Sequence, residues 1–207
     1  MAFPNDEGVS TSFTHLHDGY GVSYEYDVYL SFRGEDTRYN FTSRLYKALS
    51  DKGLNTFHDD DIARGEEIFD ALCKGCKSSH TSVIVLSENY ACSSWCLDEL
   101  VMILEHREKN GQLVLPIFYK VNPSEVRKQL GNFDSIIIKY PKGFGKEKVK
   151  RWKEALTEVA NLSGWHLEEG YVSKRLDYFL FIYLFFFFLA NGKLLSEKLM
   201  GPLKILV

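Results

Sequence analysis

Tyr26-Asp27-Val28-Tyr29-Leu30-Ser31-Phe32-Arg33-Gly34-Glu35-Asp36-Thr37-Arg38 is the stretch whose reading decides the fold. As far as Phe32 it is aromatic and β-branched, as a buried strand should be. At Arg33-Gly34 it turns polar, and a helical pattern follows in which Phe41, Leu45, Ala48 and Leu49 share one face. Strand, polar loop and helix form the opening unit of an α/β fold. Open α/β sheets hold ligands outside the carboxyl ends of their strands. The Arg33–Arg38 loop belongs at such an end and offers two guanidinium groups suited to phosphates or a carboxylate. The plainer reading is a solvated loop in which Glu35 and Asp36 neutralise both arginines.

The 207 residues, 45% of them hydrophobic, suffice for one domain with a full core plus tails. A net charge of −3 gives no global basic field for nucleic acid. Residues 1–23 lack both a basic start and an apolar run and read as a disordered leader rather than a secretory signal. The four cysteines are accordingly expected as reduced thiols in the cytoplasm or nucleus.

Asp51-Lys52-Gly53 stops the first helix, and Leu54–His58 forms a short second strand. The charged loop Asp59–Glu67 leads into a helix whose apolar side is Ile68, Phe69 and Leu72. Thr81–Leu86 (TSVIVL) is continuously apolar, as in a strand covered on both faces. A helix with Leu97, Leu100, Val101 and Leu104 at helical spacing follows, then a strand over Leu113–Tyr119. Pro116 in that strand has no amide donor, which predicts a bulge or an edge position. Val149, Trp152, Leu156 and Val159 stripe a last helix, and Gly164–Leu167 reads as a short fifth strand. This alternation predicts a parallel sheet with helices on both sides.

Six blocks in order carry a family resemblance: YDVYLSFRGEDTR (26–38), NFTSRLYKAL (40–49), NTFHDDDIARGEEI (55–68), SVIVLSENYACSSWCLDEL (82–100), LVLPIFYKVNPSEVRKQLGNF (113–133) and SGW (163–165). Together they resemble the plant Toll/interleukin-1 receptor (TIR) domain, over residues 24–168. The resemblance implies a flavodoxin-like, five-stranded parallel sheet. It also implies self-association, association with other TIR-containing immune receptors, and cleavage of NAD as an immune and cell-death signal. NAD is then the substrate, and no cofactor is implied. Glu99 in WCLDEL matches the family's catalytic glutamate, and Trp95 an aromatic lining the pocket beside it. Phe32, Arg33, Gly34 and Arg38 match the nucleotide-contacting loop after the first strand. Asp59, Arg64 and Gly65 match the mobile loop after the second, and Ser93 a small residue near the ribose. The first helix matches a self-association surface, but where the family usually has Ser-His this chain has Ser43-Arg44, and arginine is longer and always charged.

The implied chemistry is coherent. Nicotinamide–ribose cleavage passes through an oxocarbenium-like state. Nicotinamide leaves a pyridinium as a neutral ring, so no acid is needed and one carboxylate suffices. A charge pair at ~4 Å and an effective dielectric of about 20 is worth roughly 4 kcal/mol, about a thousandfold in rate if realised only in the transition state. On a helical wheel, however, Glu99 falls roughly 200° from Leu97 and reads as a solvated surface residue. Its water-excluding walls would then come from the Asp59–Gly65 loop or a neighbouring subunit, so activity is expected to need assembly. Adjacent Asp98 points about 100° away and is no partner acid.

Other signals compete. Cys73-x2-Cys76 and Cys92-x3-Cys96 have zinc-like spacing but flank an apolar strand, so half-buried thiols are the default and no metal is assigned. The six cations within Lys142–Lys153 read as a solvated helix face, with a nucleic-acid patch as the alternative. A phospho-receiver would need an aspartate after the third strand, where Ser87-Glu88 stands. Tyr178–Ala190 (YFLFIYLFFFFLA) is 13 uncharged residues, short for a membrane span. As part of an atypical tail over 169–207 it is read as a membrane-contacting segment, a segment packed on the domain, or, the favoured expectation, the translated edge of a truncated gene. The sequence thus leads to an NAD-cleaving TIR domain of plant immunity, alone or as a fragment. The alternative is a TIR module that only self-associates in immune signal transduction.

Overall fold

The computed structural model describes residues 16–17, 23–134 and 143–168. Leu16–His17 (β1) pairs antiparallel with Ser23–Tyr24 (β2). Leu16–His17 falls within the leader read as disordered, and to that extent the structure departs from that expectation. The remainder of the leader, residues 135–142 and the tail from 169, including Tyr178–Ala190, lie outside the described residues.

Five parallel strands form the main sheet: β3 (Tyr26–Phe32), β4 (Thr56–Phe57), β5 (Ser79–Leu86), β6 (Leu113–Tyr119) and β7 (Trp165–Leu167). Their order is β4-β3-β5-β6-β7. Counted within the sheet this is 2-1-3-4-5, the flavodoxin-like order, whose switch point lies between β3 and β5. Side chains alternate across it. Tyr29, Ile84 and Leu86 join one apolar cluster with α3 (Ile68–Lys77), α4 (Ser94–Asn110) and α6 (Lys146–Val159), while Val28, Leu30, Val83 and Val85 join another with α2 (Ser43–Ser50). A short α5 (Pro123–Lys128) follows β6, its first turn capped by the Asn122 side chain. Among the described residues no helix is long and apolar enough to cross a membrane.

Three local expectations are corrected. The chain after Arg33 is helical at once: α1 (Gly34–Thr37) passes through a π turn at Arg38–Thr42 into α2. The single widened turn keeps Phe41, Leu45 and Leu49 on the core face while Arg38 stays at the sheet's end. Pro116 is neither bulged nor on the sheet's edge strand. Pairing with β5 runs unbroken through Ile84↔Pro116, and β7 joins only from Ile117↔Trp165 onward, so no ladder partner is asked of the proline on that side. Ile68 is 54% exposed, because α3 meets the core through Leu72, Gly75 and Cys76 instead.

The chain enters β7 through Gly164, where a Cβ would lie 2.3 Å from the Pro116 carbonyl oxygen. Gly164→Ala should therefore cost about 1–3 kcal/mol by overpacking, read as a lower urea midpoint by tryptophan fluorescence. Gly143→Ala, with nothing within 4 Å of its Cβ, should leave the midpoint unchanged.

Candidate active site

α4 starts where the sheet's switch point opens. Ser93 caps it, its Oγ accepting the Cys96 amide at 3.3 Å, and Gly111 ends it in the left-handed region at φ 68°. In the second turn Glu99 points into the protein, only 6% exposed. Tyr29 Oη on β3 donates to Glu99 Oε1 at 2.6 Å, and Ser31 supplies a further hydrogen bond. Tyr90, fully buried in the 3-10 turn Tyr90–Cys92, shares a 3.2 Å hydrogen bond with Ser31 and donates to the Cys96 carbonyl at 3.1 Å.

Glu99 is thus not the solvated residue of the helical wheel. The wheel omitted Cys96 and Ile103, which are both buried and lie about 60° and 40° to either side of Glu99. α4 is buried over a wider arc than one stripe, and Glu99 sits inside it. Nor does the carboxyl need a second subunit to exclude water. Burial pushes its pKa up from 4.5 to about 7, the Tyr29 and Ser31 hydrogen bonds work against that rise, and the Asp59 charge adds to it. Holding the group there costs about 3 kcal/mol once it is ionised, a price associated with functional carboxyls.

An ion-pair network closes the mouth of the site. Arg33 Nη1 donates to Asp36 Oδ1 at 2.6 Å and Nη2 to Glu35. Asp36 reaches across the switch point, accepting from Ser87 Oγ at 2.6 Å and the Asn89 amide at 3.1 Å. Burial opposes ionisation of Asp36, but these donors and Arg33 outweigh it and hold the carboxyl below its usual range. Arg38 pairs instead with Asp59 and with Asp60 at 2.7 Å, and stacks 5.3 Å from the Phe32 ring centroid. Glu35 and Asp36 therefore neutralise Arg33 alone. Gly34 lets Arg38 lie close, since a Cβ there would stand 2.9 Å from its guanidinium.

Phe32, Arg33, Gly34 and Arg38 at the end of β3, Asp59 after β4 and Ser93 at the start of α4 thus all lie at the carboxyl end of the sheet. Trp95 is 57% exposed, its ring 6.5 Å from Phe69. Arg64 is exposed in a turn with Gly65 at φ 94° and makes no ion pair among the described residues. Ser43 and Arg44 are exposed on α2, the Arg44 Nε donating to the Asn40 carbonyl at 3.0 Å. His58, Asp59 and Asp60 bring possible ligand atoms within 4.8 Å of one another, but both carboxylates already hold Arg38. Cys76 and Cys96 are buried, their thiols pushed up to about 12 by burial. Lys148 pairs with Asp98 at 2.8 Å and Arg151 with Glu105, so part of the basic run is neutralised by α4. A cleft of about 580 Å³ opens away from Glu99, lined among others by Phe69, Asp98, Met102, Lys148 and Trp152.

Sequence reading missed Tyr29, Ser31 and Tyr90. Tyr29 and Ser31 sit two apart on one face of an otherwise apolar strand, and that spacing was the available signal.

The TIR domain model matches residues 25–176. The chain belongs to the TIR domain family. Disease resistance protein RUN1 of Vitis rotundifolia is 56% identical over 154 residues, covering 73% of this chain and 12% of that protein. TMV resistance protein N of Nicotiana glutinosa is 48% identical over 144 residues, covering 68% of this chain and 13% of that protein. The chain thus spans about an eighth of the length of these relatives. The TIR domains in the structure of the activated Roq1 resistosome, which recognises the pathogen effector XopQ, match at a TM-score of 0.70 and 45% identity, over 78% of this chain and 98% of that one. This is a TIR domain of the kind found in plant disease-resistance proteins, with the flavodoxin-like fold its sequence implies.

The raised Glu99 pKa fixes a sign. The folded TIR domain binds the Glu99 proton more tightly than the unfolded chain, so the contribution is fully present below the unfolded value and is lost as pH rises to about 7. Unfolding free energy should therefore fall from pH 5 to 8 by about 2.5 kcal/mol more in the native chain than in Glu99→Gln, as measured by urea denaturation across that range.

Proposed function

We propose that this TIR domain hydrolyses NAD at the nicotinamide–ribose bond, with Glu99 as the essential carboxylate. The observation that carries the reading is a buried carboxyl beside the switch point of the sheet, with a pKa of about 7. At neutral pH about half of such a group is ionised, and in a water-poor site its charge acts at low dielectric. The C1′–N bond breaks with its electron pair leaving on nicotinamide. The carboxylate stabilises the positive ribose, and water adds at C1′ and releases a proton to solvent. The products are nicotinamide and ADP-ribose-type nucleotides, acting as signals in innate immunity and cell death. Phe32, Arg33, Gly34, Arg38, Asp59, Arg64, Ser93 and Trp95 bind the substrate. Because Arg33 and Arg38 are tied to carboxylates, NAD phosphates must displace acidic partners to reach them. TIR–TIR assembly, with α2 and its Ser43-Arg44 as one surface, positions the mouth of the site rather than drying its carboxyl. Location in the cytoplasm or nucleus fits this role.

One observation favours the rival, a non-catalytic TIR module that self-associates or docks other TIR receptors: Glu99 is closed in and its neighbouring arginines are paired. The two readings separate on nicotinamide release from NAD by concentrated protein. The native chain should release it, and Glu99→Gln should do so about a hundredfold or more slowly. Equal release by the two folded proteins would remove Glu99 from the reaction. No release by a native sample shown to be self-associated would favour the docking module.

A further inference from the structure

Glu99 is faced by titratable or polar groups from every element packed on it. Tyr29 and Ser31 come from β3, Tyr90 from the turn before α4, Cys96 from α4 itself, Cys73 and Cys76 from α3, and Asp59 from beyond β4. None of these is a cation. Arg33 and Arg38, at the same end of the sheet, are engaged by Glu35, Asp36, Asp59 and Asp60. The thiols of Cys73, Cys76 and Cys96 and the Tyr90 phenol are held neutral by burial. Asp59 repels a second negative charge. Stabilisation of a Glu99 carboxylate therefore falls to hydroxyl donors, and the closest is Tyr29 Oη at 2.6 Å.

Tyr29 is built to donate. Its ring is completely buried and stacked on Phe57, with centroids 5.6 Å apart and planes 10° from parallel, so the phenol has one direction to point. Burial and the adjacent Glu99 push the Tyr29 pKa well above 10, so the shared proton stays on the phenol. Seventy residues separate the pair in sequence, and the hydrogen bond ties β3 to the second turn of α4.

We infer that Tyr29 is a positioning residue for the reaction, its phenol clamping the Glu99 carboxyl against β3 and favouring the charged form that acts on the ribose. The inference rests on the proposed NAD cleavage for its purpose, but not for its measurement. Tyr29→Phe keeps the ring and its stack on Phe57 and removes only the donor. Without that donor the Glu99 midpoint should rise by about one pH unit or more. The direct reading is a carbon-13 NMR titration of the glutamate side chains in the full chain, with the Glu99 resonance assigned by its absence from Glu99→Gln. In parallel, the acid limb of kcat/KM for nicotinamide release should move to higher pH by the same amount. Release at pH 7 should fall about fivefold and recover near pH 9, with KM for NAD little changed. Tyr90→Phe, whose lost donor served the Cys96 carbonyl, should shift the midpoint less. Coincident Glu99 midpoints in native and Tyr29→Phe proteins overturn the inference whatever the activity. A shifted midpoint in a native chain that releases no nicotinamide upholds the clamp and overturns the proposed reaction instead.

Discussion

The hydrogen bond from Tyr29 to Glu99 joins β3 to α4, the helix that packs across the sheet, and it does so around a group that belongs in water. A carboxyl only 6% exposed is tolerable because it can keep its proton and because two hydroxyls meet it when it does not. Its neighbours follow from that constraint. Thiols and a second phenol fill space without adding charge, and the nearest full charge, Asp59, is drawn off by Arg38. Burial explains both the cost of Glu99 to the fold and its readiness to change protonation near neutral pH.

Around this carboxyl the loops at the end of the sheet are tied together by an ion pair and by hydrogen bonds to a paired carboxylate. Asp36 ties the helix after β3 to the loop after β5, and Arg38 ties the same helix to the residues after β4. These are the three loops at the topological switch point, where an α/β sheet holds its ligand. Partly exposed ion pairs of this sort are worth little individually, so under the proposed function a phosphate-bearing ligand would exchange for them at modest cost. The arginines are thereby kept in place, folded over the site, without leaving uncompensated charge.

Much of this was legible in the sequence. The aromatic and β-branched stretch Tyr26–Phe32 read as a buried strand, the unbroken apolar run of Thr81–Leu86 as one covered on both faces, and the order of strands and helices as a parallel sheet. The placement of Glu99 was not legible, because a wheel drawn on Leu97, Leu100, Val101 and Leu104 assumes one apolar stripe, and α4 is buried more widely through Cys96 and Ile103. Tyr29 was read only as strand-forming bulk. Its hydroxyl gained meaning from a partner seventy positions away, a distance that no periodicity encodes. Pro116 misled in a similar way: whether a missing amide matters depends on where the neighbouring strand begins, and β7 begins one residue later, at Ile117↔Trp165.

The central claim is that the group governing NAD cleavage is a carboxyl whose acidity is set by burial. The most direct measurement is kcat/KM for nicotinamide release by the native chain between pH 5 and 9. An ionised Glu99 as the acting form requires the rate to rise with pH, tenfold per unit on the acid side, to a plateau with a midpoint near 7. A profile flat from pH 5 upward, as an ordinary solvated glutamate near 4.5 would give, contradicts it.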